Sequence, residues 1–370
     1  MMDTTDGRLC VMHMVDSLAV GGAERVAVGL ANSLPPDRYS VHLCTTRRGG
    51  PLEASLAPHV GYLALSRRYR VDVAALLRFS TYLRAHRVAL LHAHSTAIFT
   101  AALASLLPPY PAVLWHDHFG GVVATRVRLP YAVAVRRAAG VLAVNQQLAA
   151  WARNGLGVRP ERVWYLPNPV CPWELGSPAV ASGPLPGRAG RRIVCVANLR
   201  PQKDHATLLE AFRLTRLNVP DAALLVVGAE PDPEYASHLK AISAGLGLDG
   251  AVCWMGPRAD VGAILAGCDV AVLSSRSEGL PLALLEYGAA GLPVACTDVG
   301  QCAEVVDGGG AGILVPAGSP QALGDALVRL LTDREFAAEL SGRLRARVTA
   351  NYSLDAATER LDRIYHEVLA

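Results

Sequence analysis

The chain has 370 residues, 51% hydrophobic and 18% charged, which excludes a disordered chain and leaves room for two domains with cores of their own. The formal net charge is only +3, and nucleic acid is not an expected partner. The charge is uneven, however: residues 1–170 sum to +9 and residues 171–370 to −6, which implies two units with different partners.

In chain order, Met1 to Asp6 are acidic and polar and do not read as a secretory signal. Continuous apolar runs then predict strands at Leu9–Val15, Val41–Thr45, Gly61–Leu65, Ala89–Ala93, Ala112–Trp115, Gly140–Val144 and Val163–Leu166. Unbroken rather than alternating runs are the mark of parallel strands covered on both faces. The uncharged stretch Thr96–Trp115 is long enough to span a bilayer, but Pro108, Pro109 and Pro111 break it into a helix, a turn and a strand. No transmembrane segment is expected. Eight cysteines are scattered without a C-x-x-C pair, as in the reduced core of a cytoplasmic protein. No Cys/His set has zinc-ligand spacing, so no metal site is expected.

Three places in this half sit where a strand ends. Asp16-Ser17-Leu18-Ala19-Val20-Gly21-Gly22-Ala23-Glu24-Arg25 reads as a strand end, two glycines and a helix start. Gly21 and Gly22 let a ligand approach the backbone, and the helix start supplies N–H donors. It is not a G-x-G-x-x-G fingerprint, and a plain βα turn would read the same way. His92 and His94 follow one strand, and His116-Asp117-His118 follow the next. A histidine there can bond a sugar hydroxyl or simply fill the core.

Residues 171–190, rich in Pro, Gly, Ser and Ala, read as a linker. Strands are expected again at Arg192–Ala197, Ala223–Val227, Ala251–Met255, Val270–Leu273, Pro293–Thr297 and Gly312–Val315, with helices such as Asp204–Leu217 and Leu280–Ala290 between them. The βαβ pattern is thus written twice, giving an α/β fold of two doubly wound parallel-sheet domains facing across a cleft. Residues 1–170 and 191–350 are the two domains. Residues 351–370 form a helix with Leu354, Ala357, Leu361, Ile364 and Tyr365 on one stripe.

Two loops of the second half carry charge at strand ends. Asn198-Leu199-Arg200-Pro201-Gln202-Lys203-Asp204 leads into a helix capped by Asp204. Lys203 is one of two lysines beside 33 arginines, and a compact ammonium suits phosphate oxygens. Ser274-Ser275-Arg276-Ser277-Glu278-Gly279-Leu280-Pro281-Leu282 follows Val270–Leu273, with Pro281 expected as the first helical residue and Glu286 about a turn inside. A burial cost makes the second carboxylate unexpected in an apolar helix.

Together these residues resemble retaining glycosyltransferases of family 4, which have the GT-B fold. The resemblance rests on Glu278-x7-Glu286, Gly291-Leu292-Pro293-Val294-Ala295-Cys296-Thr297-Asp298-Val299-Gly300, Glu304, Gly312–Pro316, Gly21–Arg25 and Pro167–Val170, and covers most of the chain. It implies that Lys203 and a nearby arginine hold a donor diphosphate. Glu286 would bind ribose and Glu278 the donor sugar, with Gly279, Leu280, Pro281 and Leu282 near sugar and phosphate. Gly21 and Gly22 would approach the phosphate, His116 would lie near the transferred sugar, and the last helix would cross back to the first domain. The family often has Arg where Asn198 stands, leaving the phosphate-side role between Asn198 and Arg200, and Gly where Gln301 stands.

The expected reaction is transfer of a hexose or N-acetylhexosamine from a nucleoside-diphosphate sugar to a hydroxyl, with retention. UDP-sugars are the first choice of donor and GDP-mannose the second. No D-x-D pair is present, and no cofactor is expected beyond the sugar nucleotide. The acceptor is a glycan, a glycolipid or a soluble small molecule. A nucleotide-sugar 2-epimerase and a noncatalytic nucleotide-binding module are the other readings. Arg47-Arg48, Arg67-Arg68-x-Arg70, Arg126-x-Arg128 and Arg136-Arg137 suggest peripheral contact of a cytoplasmic protein with anionic membrane.

Overall fold

The structure is a computed structural model describing residues 7–19, 21–118, 126–170, 183–258 and 260–370. The acidic first six residues and 171–182, most of the expected linker, lie outside the described residues. The chain divides into two compact units, residues 1–171 with 354–370 and residues 172–353.

The first unit contains seven parallel strands: β1 (Leu9–Ser17), β2 (Tyr39–Arg48), β3 (Gly61–Ala64), β4 (Leu90–His94), β5 (Ala112–Asp117), β6 (Gly140–Ala143) and β7 (Val163–Tyr165). Their order is β3-β2-β1-β4-β5-β6-β7. Helix α1 (Gly22–Ser33) covers one face. Helices α2 (Val73–Ala85), α3 (Ile98–Ala104), α4 (Arg128–Ala134) and α5 (Gln146–Ala150) cover the other, around a core that includes Met12, Phe79, Ile98 and Trp115. Asp72 and Asn145 cap α2 and α5 by accepting from Ala75 N and Leu148 N.

The second unit repeats the plan with six parallel strands: β8 (Arg192–Val196), β9 (Ala223–Val227), β10 (Val252–Gly256), β11 (Val270–Leu273), β12 (Val294–Thr297) and β13 (Ile313–Val315), ordered β10-β9-β8-β11-β12-β13. Helices α6 (His205–Asn218) and α7 (Pro233–Gly245) are followed by α8 (Val261–Ala266), α9 (Leu282–Ala290), α10 (Cys302–Val305), α11 (Pro320–Thr332) and α12 (Arg334–Tyr352). Where α9 meets α12, a Cβ on Gly288 would lie 2.7 Å from Val348 and 2.9 Å from Leu344, so a glycine is required for that approach.

Helix α13 (Leu354–Leu369) belongs to the first unit. It lays Leu354, Ala357, Leu361, Ile364 and Tyr365 onto the sheet beside α1. Each large side chain buried there contributes about 1.5–3 kcal/mol. Polar ties fix its register: Tyr39 Oη donates to Asp362 at 2.5 Å and Trp164 Nε1 to Glu367 at 3.0 Å. Each expected strand is present within a few residues of its expected ends. The seven described cysteines are free, and six are buried. Among the described residues no helix is long and apolar enough to cross a membrane.

In both sheets the strand order reverses direction at one point, between β1 and β4 and between β8 and β11. Doubly wound sheets bind ligands outside the carboxyl ends of the strands at such points.

Candidate active site

At the reversal point of the second unit, the loops after β8 and β11 are tied together. Pro201–Lys203 form a single 3-10 turn, and Asp204 then takes a left-handed conformation (φ 48°) to cap α6. Its carboxylate accepts from Thr207 Oγ1 at 2.7 Å and pairs with Arg276 Nε at 2.8 Å. Arg276 N donates to the Gln202 carbonyl at 2.8 Å, and Ser274 Oγ to that of Lys203 at 2.9 Å. A short polar loop is thereby held in one shape, as a preorganised site requires.

Lys203 and Glu278 meet in this frame. Lys203 Nζ lies 2.6 Å from Glu278 Oε1, which also accepts from Ser275 Oγ at 2.6 Å. The Glu278 side chain is 9% exposed and that of Lys203 24%, so the pair is shielded but open on the cation's side. The end of β12 and the loop after it tie the backbone on either side of Glu278: Gln301 N donates to the Gly279 carbonyl at 3.0 Å, and Thr297 Oγ1 to that of Ser275 at 2.6 Å. Gly300 sits at φ 55°, where a Cβ would come within 2.3 Å of the Glu278 carbonyl oxygen.

Pro281 is not the first helical residue. It is the N-cap of α9, with ψ 105°, and the helix begins at Leu282. A proline has no N–H to lose at either place, so the sequence signal is the same for both. No side chain caps this helix, so no side-chain acceptor meets its first N–H groups and positive dipole end, which follow Gly279 and Leu280 in the chain. Glu286 lies in the second turn, half-buried. Asn198 is exposed but engaged, its Oδ1 accepting from Ala229 N at 2.9 Å, while Arg200 is exposed two residues further on. Asn198, Arg200 and Lys203 thus lie on the β8 loop, and Glu278 to Leu282 on the β11 loop.

In the first unit, Gly21 is the N-cap of α1 and Gly22 its first residue, with no side-chain cap bond and with Glu24 folded back toward Gly21. On the opposite side of that unit's reversal point stand the histidines. His116, the penultimate residue of β5, is fully buried, with Nδ1 3.2 Å from His92 Nε2. Burial is the first cause holding its pKa well below the ordinary 6.5, and the neighbouring His118, His92 and His13 add to it. The imidazole is therefore neutral.

Spacing along the chain gave no metal-ligand set, yet the fold gathers two groups, His13 with His92 and His94, and His94 with His116 and His118. In each, ring nitrogens lie within 4.8 Å of one another. Parallel pairing does this: His13 stands beside His92 and His94 beside His116. The period-two repeat of 92/94 and 116/118 was visible in sequence, but His13 and Tyr365 were not, because their part depends on strand order and on α13.

Two expected surface arginines are also interior. Arg126 forms a two-pronged pair with Asp117 at 2.6 and 3.0 Å, and its side chain is 5% exposed. Arg67 is 7% exposed and donates to the Tyr69 and Arg70 carbonyls.

Residues 20–173 match the family model "Glycosyltransferase Family 4", and residues 190–333 match "Glycosyl transferases group 1". The chain belongs to glycosyltransferase family 4. This family member is 30% identical over 177 residues to N-acetyl-alpha-D-glucosaminyl L-malate synthase of Bacillus anthracis, a match spanning 48% of this chain and 45% of that one. It is 24% identical to the UDP-Gal:alpha-D-GlcNAc-diphosphoundecaprenol alpha-1,3-galactosyltransferase of Escherichia coli, across 100% of this chain and 99% of that one. The match thus spans about half the length of the first relative and nearly all of the second. Among solved structures, Anabaena Alr3699/HepE in complex with UDP and glucose superposes with a TM-score of 0.76 at 19% identity, covering 97% of this chain and 100% of that one. At that identity the likeness establishes the fold, GT-B, and nothing finer.

Proposed function

We propose that this family 4 member transfers a hexosyl or N-acetylhexosaminyl group from a nucleoside-diphosphate sugar to an acceptor hydroxyl, with retention of anomeric configuration. The observation that carries the proposal is the Lys203–Glu278 pair at 2.6 Å, fixed beside the uncapped start of α9 at a sheet reversal point. The donor diphosphate displaces Glu278 from Lys203. Lys203, Arg200 and the N–H groups of the α9 start then face the charge that develops on the leaving phosphate. Glu278, released, accepts from hydroxyls of the donor sugar, and Glu286 from those of the ribose. Gly21 and Gly22 offer the α1 start to a phosphate oxygen. The chain's own cations and helix ends thus stabilise the leaving group. UDP is the preferred nucleotide and GDP the second. The relative from Escherichia coli, named for UDP-Gal and a diphosphoundecaprenol-linked acceptor, supports a UDP donor and a lipid-linked glycan acceptor.

The test is nucleotide release from UDP- and GDP-sugars with and without candidate acceptors. Acceptor-dependent release is expected, and Lys203→Ala should lower it at least about 10–100-fold, the worth of one charge-assisted contact. Isomerised donor would point instead to a 2-epimerase, binding without turnover to a nucleotide-binding module, and normal turnover in Lys203→Ala would remove the assignment.

An anionic membrane is the proposed setting. With Arg67 and Arg126 interior, the exposed members of these arginine pairs are Arg47, Arg48, Arg68, Arg70, Arg128, Arg136 and Arg137, and exposed Tyr69, Val71, Val127, Leu129 and Val133 stand in sequence among the last five. Cations for lipid phosphates and apolar side chains for the interface suit a peripheral surface. Flotation with vesicles should rise with anionic lipid content and fall with salt. Flotation indifferent to both would favour a soluble acceptor.

A further inference from the structure

Asp16 stands at the carboxyl end of β1, the reversal point of the first unit, and other segments of that unit converge on it. Thr46 Oγ1, from β2, donates to its Oδ1, and Thr96 Oγ1, from the turn after β4, donates to its Oδ2. Arg67, on the connection from β3 to α2, brings Nη2 to 3.9 Å from Oδ1, which is too far for a hydrogen bond. The backbone is shaped for this meeting. The pairing of β1 with β2 slips between Val15 and Ser17, so Thr46 and Arg47 both stand opposite Asp16. Such a bulge re-aims a side chain and is over-represented beside active sites. Ser66 and Ser95, which precede Arg67 and Thr96, take left-handed conformations (φ 51° and 52°) that residues other than glycine rarely adopt.

The hydrogen-bond account of this pair is incomplete. A carboxylate offers about four lone-pair sites, and the two threonines fill one on each oxygen. Of the guanidinium nitrogens of Arg67, Nη1 donates to the Tyr69 and Arg70 carbonyls at 3.2 and 2.7 Å. The Nε–Nη2 edge is left over: Nε is buried without a partner, and Nη2 has only the distant Asp16. The Arg67 side chain is 7% exposed and that of Asp16 26%, so a ligand reaches the pair from the Asp16 side. The charges select its chemistry. Asp16 repels an anion and Arg67 repels a cation, whereas a neutral hydroxyl accepts from the arginine and donates to the carboxylate. Two neighbouring hydroxyls on one ring do both at once.

We propose that Asp16 and Arg67 form a subsite for neighbouring hydroxyls of an acceptor sugar, so that the acceptor presents a glycan rather than a simple alcohol. The inference rests on the transfer reading above and names the chemistry of its acceptor. Thr46 and Thr96 are positioning residues that hold the Asp16 carboxylate toward the arginine. Asp16 and Arg67 orient the acceptor and have no part in breaking the donor bond.

The test is ligand-observed NMR on the full chain with UDP present, using methyl α-glucoside, methyl α-galactoside, methyl α-mannoside, cyclohexanol and inorganic phosphate as probes. At least one glycoside should bind in the millimolar range, and cyclohexanol, with a single hydroxyl, should not. Asp16→Asn and Arg67→Lys should each weaken glycoside binding about fivefold or more, the worth of one hydrogen bond. In the transfer assay the same variants should raise acceptor KM by a similar factor, with donor KM within about twofold. Titration with UDP, expected at the second unit, checks that each variant is folded. The proposal is overturned if no glycoside binds the unaltered protein, if cyclohexanol binds as well as the glycosides, or if both variants bind them as before. Phosphate binding that exceeds glycoside binding and is lost in Arg67→Lys would make this an anion site instead. The binding arm needs no turnover. Variant-sensitive glycoside binding without transfer would sink the transfer reading and leave the subsite standing, and transfer indifferent to both variants would sink the subsite alone. Asn has the shape of Asp and keeps an acceptor for a threonine, so Asp16→Asn decides where Arg67→Lys does not fold.

Discussion

Asp117, the last residue of β5, holds Arg126 by two hydrogen bonds, and the guanidinium lies 4.4 Å from the ring centroids of both Tyr131 and Trp151. Removing one partner of a buried pair strands the other charge away from water. Asp117→Asn is therefore expected to lower unfolding free energy by about 3–5 kcal/mol in urea denaturation, and a loss below about 1 kcal/mol would show that water screens the pair. The sequence suggested a surface cation here because an arginine near other arginines carries no sign of the aromatic cage around it. Lys203 was legible for the opposite reason. In a chain with 33 arginines, a lysine at a strand end stands out by its chemistry before any contact is known. Its pairing with Glu278 was not legible, because 75 residues separate them and only the adjacency of β8 and β11 joins their loops.

The strands themselves were plain, since parallel strands buried on both faces are written as unbroken apolar runs. What those runs omit is order and register, and both the Lys203–Glu278 pair and the histidine row depend on them. Gly300 is a case in the loop after β12: it needs a left-handed backbone and space beside Glu278. Gly300→Ala should weaken donor binding at least about fivefold while costing more than about 1 kcal/mol of stability. Isothermal titration with UDP and urea denaturation measure the two effects, and unchanged affinity would mean that the loop yields without moving Glu278. The row of histidines on β1, β4 and β5 predicts a pH effect. Their folded pKa values are depressed, to about 3 for His13 and about 4 for His118, against an ordinary 6.5. Above pH 6.5 the rings are neutral in both folded and unfolded chains, and pH has no leverage through them. As pH falls below 6.5 the unfolded chain takes up protons that the fold refuses, so stability drops by about 1.4 kcal/mol per histidine per pH unit until the folded pKa is reached. Denaturation midpoints between pH 7 and 4.5 should fall steeply. A flat profile would mean that the rings are hydrated in solution.

Both units share one order over their first six strands, and each has its own core, yet they differ in how the chain supplies them. Residues 172–353 are continuous, whereas residues 1–171 are completed by 354–370. The segment 172–353 alone should therefore melt cooperatively and gain thermal stability with UDP. Residues 1–171 alone should lack a cooperative transition until 354–370 are supplied. A cooperative transition for 1–171 alone would show that α13 adds little. The stripe on α13 was readable as an amphipathic helix, and the family resemblance implied its return to the first domain. The hydroxyl of Tyr365 reaching His13 and His92 was not readable, for it depends on two segments more than 270 residues apart.

This discontinuity sets an order of events on the ribosome. Residues 354–370 are made only after the whole of 172–353, a delay of roughly ten to forty seconds at ordinary synthesis rates. Throughout that interval the nascent first unit keeps a bare apolar strip where Leu361, Ile364 and Tyr365 will lie, and His13 and His92 lack the tyrosine hydroxyl that stands between them. The second unit has no such wait. The part of the chain synthesised later is thus the part that can close its core earlier, and the first unit closes its own only when its last helix docks.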